Sequence, residues 1–117
     1  MSILRLDTNV SHSDIDDEFL VQSTEALAKT LKKPKSDILV FVNGNQPITI
    51  AGSAEEPAVI VSLLSVDGIN EIDNKLHSAA LFSLITKYLK INENRITVTF
   101  SPIESHAMGR NGKTLIQ

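Results

Sequence analysis

The second half of this chain repeats the first at an offset of 58 residues within a length of 117, and the repeat limits the folds open to it. Lys29-Thr-Leu31-Lys32-Lys33 leads into Asp37 to Val42, and Lys87-Tyr-Leu89-Lys90-Ile91 leads into Arg95 to Phe100. Each segment ends a helical pattern in Lys-x-Leu-Lys and then begins an apolar strand. The same offset lays Ile3 to Thr8 over Val61 to Val66, with Leu6 on Leu64. Self-similarity at a fixed period marks a structural unit that must be paired or stacked. Here the unit is strand, helix, strand, present twice, over about residues 1–58 and 59–117 of one domain.

Within the first copy, Ile3 to Thr8 reads as a strand. Ser13 then stands where it could cap a helix whose first turn carries Asp14, Asp16, Asp17 and Glu18, four carboxylates suited to the positive end of a helix dipole. A calcium loop is the sharper reading of that acidic run, but the glycine turn and distal glutamate of such loops are missing. Ile15, Phe19, Leu27 and Leu31 keep helical spacing, and Pro34 stops the helix. Ile38 to Val42 is unbroken apolar sequence, the pattern of a strand buried on both faces, and Asn43-Gly44 ends it as a turn.

A further extended piece is expected at Ile48 to Ala51, then a polar loop from Gly52 to Pro57 and a long strand from Ala58 to Val66. The second helix is expected from about Asn70 to Lys90, burying Ile72, Leu76, Ala79, Ala80 and Leu84. Arg95 to Phe100 closes the repeat, and the tail holds a short terminal strand. Two such units make an α+β fold, a four-stranded sheet with both helices on one face, since crossovers between parallel strands are right-handed. The other face stays uncovered although its strands are apolar. Self-association is the simplest way to cover it, and a homo-oligomer is predicted.

Composition narrows the function classes. A net charge of −3, scattered basic residues and an aromatic content of 4% give nucleic acid neither an electrostatic footprint nor a stacking platform. With no cysteine there is no disulfide, thiolate nucleophile or Cys-ligated zinc. The three histidines have no metal-ligand spacing, and neither a metal nor another cofactor is expected. No apolar run approaches the ~20 residues of a membrane span, so no membrane insertion is expected. The N-terminus has no signal-peptide pattern, which reads as cytoplasmic, with export by a route that needs no signal peptide as the compatible alternative.

A set of motifs in order carries a resemblance. They are Leu4-x-Leu6-Asp7-Thr8-Asn9-Val10, Lys33-Pro34, Gly52-Ser-Ala-Glu-Glu-Pro57-Ala58, Ser65-Val66-Asp-Gly68, His77-Ser78-Ala79, Asn94-Arg95-Ile96 and Phe100-x-Pro102-Ile103-Glu104-Ser105. Over nearly its whole length the chain resembles the macrophage migration inhibitory factor family of the tautomerase superfamily, and in its last third the D-dopachrome tautomerase branch. The resemblance implies a ferredoxin-like repeat assembled as a homotrimer. It also implies a keto-enol tautomerase or dopachrome decarboxylase acting on small aromatic keto acids, and a cytokine-like role with a cell-surface receptor as partner.

In that family the residue after the initiator methionine is a proline whose secondary amine is the proton-transferring base. This chain has Ser2 there. An ordinary α-amino group has a pKa of about 7.7 to 8.0, which burial lowers, so a processed Ser2 amine is an untuned base lacking the ring. With Met1 attached, the Ser2 nitrogen is an amide and no base. Lys33 matches the lysine that would bind a substrate carboxylate. On dipole grounds alone it reads as a solvated lysine near a helix C-terminus.

Ser65 and Val66 match a Ser-Ile pair lining the same pocket, and both also read as plain strand-end residues. Thr97 and Thr99 stand where the cytokine branch has a tyrosine and an asparagine, which removes an aromatic contact and an amide. His106 falls near a pocket-wall aromatic of the dopachrome branch or is a loop histidine. Ala58 and Val61 replace a cysteine pair, so thiol-dependent redox chemistry does not carry over. These departures imply a trimeric protein with weak or lost tautomerase activity and a cytokine-like binding or regulatory role. The alternative is an active tautomerase or decarboxylase that uses the processed Ser2 amine.

Overall fold

The computed structural model describes residues 1–116. Strand β1 (Ser2–Thr8) is followed by helix α1 (Asp17–Leu31) and β2 (Ile38–Asn43), then by β3 (Val59–Ser65), α2 (Glu71–Leu89) and β4 (Ile96–Pro102). Strands β5 (Gly109–Arg110) and β6 (Lys113–Thr114) form a terminal hairpin. The main sheet has the order β2-β1-β3-β4, with β1 parallel to β2, β3 parallel to β4, and the two central strands antiparallel. Both helices pack on one face. Residues 58 apart share backbone states from the helices onward: Lys32 and Lys90 each end a helix at φ 57, and 3-10 turns at Lys35–Asp37 and Glu93–Arg95 each precede a strand. The expected match of Leu6 with Leu64 fails, because alternation puts Leu64 on the opposite face; the buried residues of β1 and β3 lie 57 apart, and Leu6 matches Leu63.

Strand alternation sorts the two faces. Ser2, Leu4, Leu6 and Thr8 of β1, with Val59, Val61, Leu63 and Ser65 of β3, are buried beneath the helices. They meet one line from each helix, Phe19, Ser23, Leu27 and Leu31 from α1 and His77, Leu81, Ile85 and Leu89 from α2. The opposite face presents Leu39, Phe41 and Ile60 at 44%, 46% and 51% exposure. The expectation that β2 is buried on both faces fails in the single chain. The Arg5 guanidinium lies 5.5 Å from the Phe41 ring centroid and pairs with Asp7 at 3.0 Å, so this face is mixed rather than wholly apolar.

Four further expectations are corrected. The first helix does not start at Ser13. Ser11 to Ile15 makes a 3-10 turn that tucks Ile15 toward the core, and Asp16 is the cap, accepting from the Glu18 N–H at 3.0 Å. The extended piece at Ile48 to Ala51 is a tight turn with one bridge, Ile50 to Ser53. The tail folds as a two-stranded hairpin rather than as one strand. The α2 stripe is the wrong one: Ile72 and Leu76 are 74% and 52% exposed, while the polar His77 is buried. The start of α2 near Asn70 is as expected, and the Asn70 side chain caps it by accepting from the Asp73 N–H at 2.8 Å.

Candidate active site

The β1 register defines one end of the sheet. Ser2 pairs with Ile38 on one side and Ser65 on the other, so Met1, one residue earlier, is flanked by Asp37 and Val66. The Met1 carbonyl accepts from the Val66 N–H at 3.2 Å. Ser2 is fully buried with its Oγ 2.7 Å from Ser65 Oγ. Ser65 Oγ is also 2.8 Å from the Asp67 carbonyl, which can only accept. A hydroxyl has a single proton to give, so Ser65 donates to Asp67 and accepts from Ser2.

Lys33 reaches this end because α1 stops where it does. Lys32 takes the left-handed conformation, the Lys33 N–H returns to the Ala28 carbonyl at 3.0 Å, and Pro34 continues extended. The Lys33 ammonium then donates to the Val66 carbonyl across the site. The turn that carries this carbonyl is tightly specified. Asp67 and Gly68 have φ of 69° and 80°, and a Cβ at Gly68 would lie 2.9 Å from Leu31 Cδ2. His77 of α2 holds the turn from below, with Nε2 2.8 Å from the Gly68 carbonyl and Nδ1 2.8 Å from Thr30 Oγ1.

The amino group at this end sheds its proton more readily than an ordinary terminus. Its pKa lies below 8.0, first because burial penalises the ammonium, then because the Lys33 charge repels it. Asp37 opposes the shift and Arg110 adds to it. Arg110 belongs to the terminal hairpin and donates to the Ser36 carbonyl at 2.9 Å and to Asp37 Oδ1 at 3.4 Å.

Of the residues singled out from sequence, Ser2, Lys33, Ser65 and Val66 converge here. Thr97 and Thr99 do not: they alternate with the core-facing Ile96, Val98 and Phe100, which puts them on the sheet's opposite face. With Met1 in place, the Ser2 nitrogen is an amide within β1 and the free amine belongs to Met1. His106 is exposed in a 3-10 turn. Sequence reasoning missed Met1 as the amine donor, Asp37, Arg110 and His77. The apposition of β1 and β2 was the available signal for Asp37, whereas a contact between residues 37 and 110 leaves none.

The fold is thus α+β, a four-stranded sheet with two helices on one face, and it places a lysine beside a partly buried terminal amine at one end of the sheet. The family model described as macrophage migration inhibitory factor (MIF) matches residues 1–116. A Brugia malayi macrophage migration inhibitory factor homolog is 34% identical over 114 residues, covering 97% of this chain and 98% of that protein. The Xenopus laevis D-dopachrome decarboxylase-B is 30% identical, covering 98% of each. The solved macrophage migration inhibitory factor of Trichinella spiralis superposes with a TM-score of 0.91 at 33% identity, covering 96% of this chain and 98% of that one. The chain belongs to the macrophage migration inhibitory factor family. Among the described residues no helix is long and apolar enough to cross a membrane, and no group of His, Cys, Asp and Glu could hold a metal ion.

Proposed function

We propose that this chain is a homotrimeric, tautomerase-fold protein that binds small aromatic keto acids with weak or lost turnover and acts chiefly as a cytokine-like binding or regulatory protein. The observation that carries the reading is the gathering of Lys33, the Val66 carbonyl and the amino terminus at one sheet end. Lys33 has three N–H donors and gives one to Val66, so two remain for a substrate carboxylate. An amine beside it would take the proton from the carbon next to a ketone and return it to the enolate oxygen, which completes a keto-enol exchange. A primary amine has no rigid ring to aim its lone pair, and in the chain starting at Met1 it is displaced by one residue from the family's position.

The half-exposed Leu39, Phe41 and Ile60 support assembly through the open sheet face. In that assembly Thr97 and Thr99 serve a pocket only by meeting another copy, because their own Lys33 lies across the sheet. The second reading, an active tautomerase or decarboxylase using the processed Ser2 amine, draws on one observation: burial and the Lys33 charge lower the pKa of the Met1 amine at this same end of the sheet. Such an enzyme would work in the cytoplasm or after signal-independent export.

The test uses intact mass to establish the terminal residue, then phenylpyruvate tautomerisation by the native chain and by a processed Ser2→Pro variant. Turnover appearing or rising at least about tenfold in Ser2→Pro, a barrier change of about 1.4 kcal/mol, is the expected result. Native turnover equal to that of the variant would establish the second reading instead. A verified N-terminal proline without any turnover would overturn the claim that only the base has been lost.

A further inference from the structure

Two cations stand on opposite sides of the amino terminus. On one side, Lys33 is held by the Val66 carbonyl, and Val66 pairs with Met1. On the other, Arg110 is held by Asp37 and the Ser36 carbonyl, and Asp37 neighbours Met1 through the pairing of Ser2 with Ile38. They reach the site from different parts of the chain, Lys33 from the end of α1 and Arg110 from the β5–β6 hairpin. Both charges act on the Met1 amine, which places both within electrostatic reach of one small volume.

The two cations are differently committed. Lys33 spends a hydrogen bond on a neutral carbonyl and has no carboxylate partner among the described residues. Arg110 uses one terminal nitrogen on Asp37 at 3.4 Å and the other on the Ser36 carbonyl, two of the five N–H donors of a guanidinium. Its side chain is 40% exposed, and the Asp37 contact is long for a charge-assisted bond. The guanidinium is therefore aimed by its backbone tie and its aspartate, with donors to spare.

We propose that Lys33 and Arg110 together select a diacid: a small keto acid whose 2-keto carboxylate sits on Lys33 and whose second anionic group, at the far end of the molecule, sits on Arg110. Arg110 is thus a specificity-determining residue for the site whose acid-binding role is itself the reading given above, and the inference rests on that reading. A planar fork suits a second carboxylate, because it can accept two parallel N–H bonds. Asp37 sharpens the choice: it keeps Arg110 oriented, and it disfavours an anion placed away from the fork. A ligand with one carboxylate leaves the guanidinium to solvent and gains nothing from it.

The experiment is calorimetric titration of phenylpyruvate and of its para-carboxylated analogue into the native protein, Lys33→Ala, Arg110→Gln and Arg110→Lys. Binding rather than turnover is read, so a missing catalytic base does not affect the result. The native protein should prefer the diacid by about tenfold. Arg110→Gln should abolish the preference, weakening the diacid by about tenfold more than phenylpyruvate, Arg110→Lys should retain part of it, and Lys33→Ala should weaken both ligands. Lys33-dependent binding of both acids with no diacid preference, or a preference that survives Arg110→Gln, overturns the inference and leaves the acid-site reading intact. If neither acid binds the native protein, the acid-site reading falls and this inference falls with it.

Discussion

Replacing His77 with phenylalanine should be among the most damaging single changes available to this fold, and its cost can be worked out from two hydrogen bonds. His77 is fully buried, with Nε2 and Nδ1 each 2.8 Å from their partners, the Gly68 carbonyl and Thr30 Oγ1. A carbonyl only accepts, so Nε2 carries the ring proton and Nδ1 accepts from the Thr30 hydroxyl. Phenylalanine leaves no cavity, and its somewhat larger ring can only add to the polar loss, which therefore sets the minimum cost. Each lost bond costs about 1 kcal/mol net, and the stranded Gly68 carbonyl adds about 1 to 2 more, for a total of roughly 3 to 4 kcal/mol. At about 4 °C per kcal/mol for a domain of this size, the melting temperature should fall by roughly 12 to 16 °C.

Guanidinium unfolding at fixed protein concentration should show a lower midpoint with an unchanged slope. Thr30→Val alone should cost about 1 kcal/mol, and in the double variant the effects should overlap by about that amount, since the shared bond can be lost only once. A loss below about 0.5 kcal/mol for His77→Phe, or strict additivity with Thr30→Val, would refute the assignment of these bonds.

Two other outcomes test the surface and the site. Phe41→Lys and Ile60→Lys alter side chains that are about half exposed, so the chain should stay folded while sedimentation shows a smaller assembly; an unchanged sedimentation coefficient would remove the open face as the interface. Lys33→Met should raise the pKa of the terminal amine toward 8.0, because removing a neighbouring cation favours the ammonium while burial still opposes it. The pH above which the amine is neutral and reactive then rises, as followed by NMR titration of a 13C-labelled terminus. An unchanged or lower pKa would show that Lys33 does not act on it.

The sheet and helices were legible because period-two and period-3.6 patterns are strong in the strands and in α1, where Phe19, Leu27 and Leu31 mark the buried line. In α2 the same reasoning chose the wrong line, because apolar residues lie on every side of that helix and its buried line starts with a histidine. The information was nevertheless present. Adding 58 to the α1 line 19, 23, 27 and 31 gives 77, 81, 85 and 89, the line that α2 buries. Alternation likewise separates Thr97 and Thr99 from the core-facing residues of β4, a distinction that motif matching does not make. What sequence could not supply is Arg110 beside Asp37, since no periodicity links a terminal hairpin to a turn 73 residues earlier.

The offset also explains why only one end of the sheet carries a candidate site. From the helices onward equivalent residues lie 58 apart, which puts Lys33 on Ile91, about 1% exposed and committed to the core; the first strands match at 57, which puts Met1 on the fully buried Ala58. Val66 falls back on Asn9, whose side chain donates to the Glu56 carbonyl at 2.9 Å and accepts from the Ala58 N–H at 2.8 Å. Asp37 falls on Arg95, a buried guanidinium that donates to the carbonyls of Pro57 and Glu56 at 2.9 Å and of Ser53 at 3.1 Å. In one copy, then, this position holds an anion that aims a second, half-exposed cation; in the other it holds a cation sunk into the backbone of its own loop. The end around Arg95 still has a cavity of about 520 Å³, walled by Val10, Pro57, Tyr88, Leu89 and Lys90, but it has no terminal amine, and an acidic residue, Asp14, lines it as well. A duplicated unit yields two similar ends, and burial of the matching positions in one copy leaves the terminal amine and its neighbouring lysine to the other. Lys33 faces a carbonyl and a terminus, whereas its counterpart Ile91 has only core to face, so a lysine at 91 would be buried without a partner and would destabilise the fold rather than create a second site.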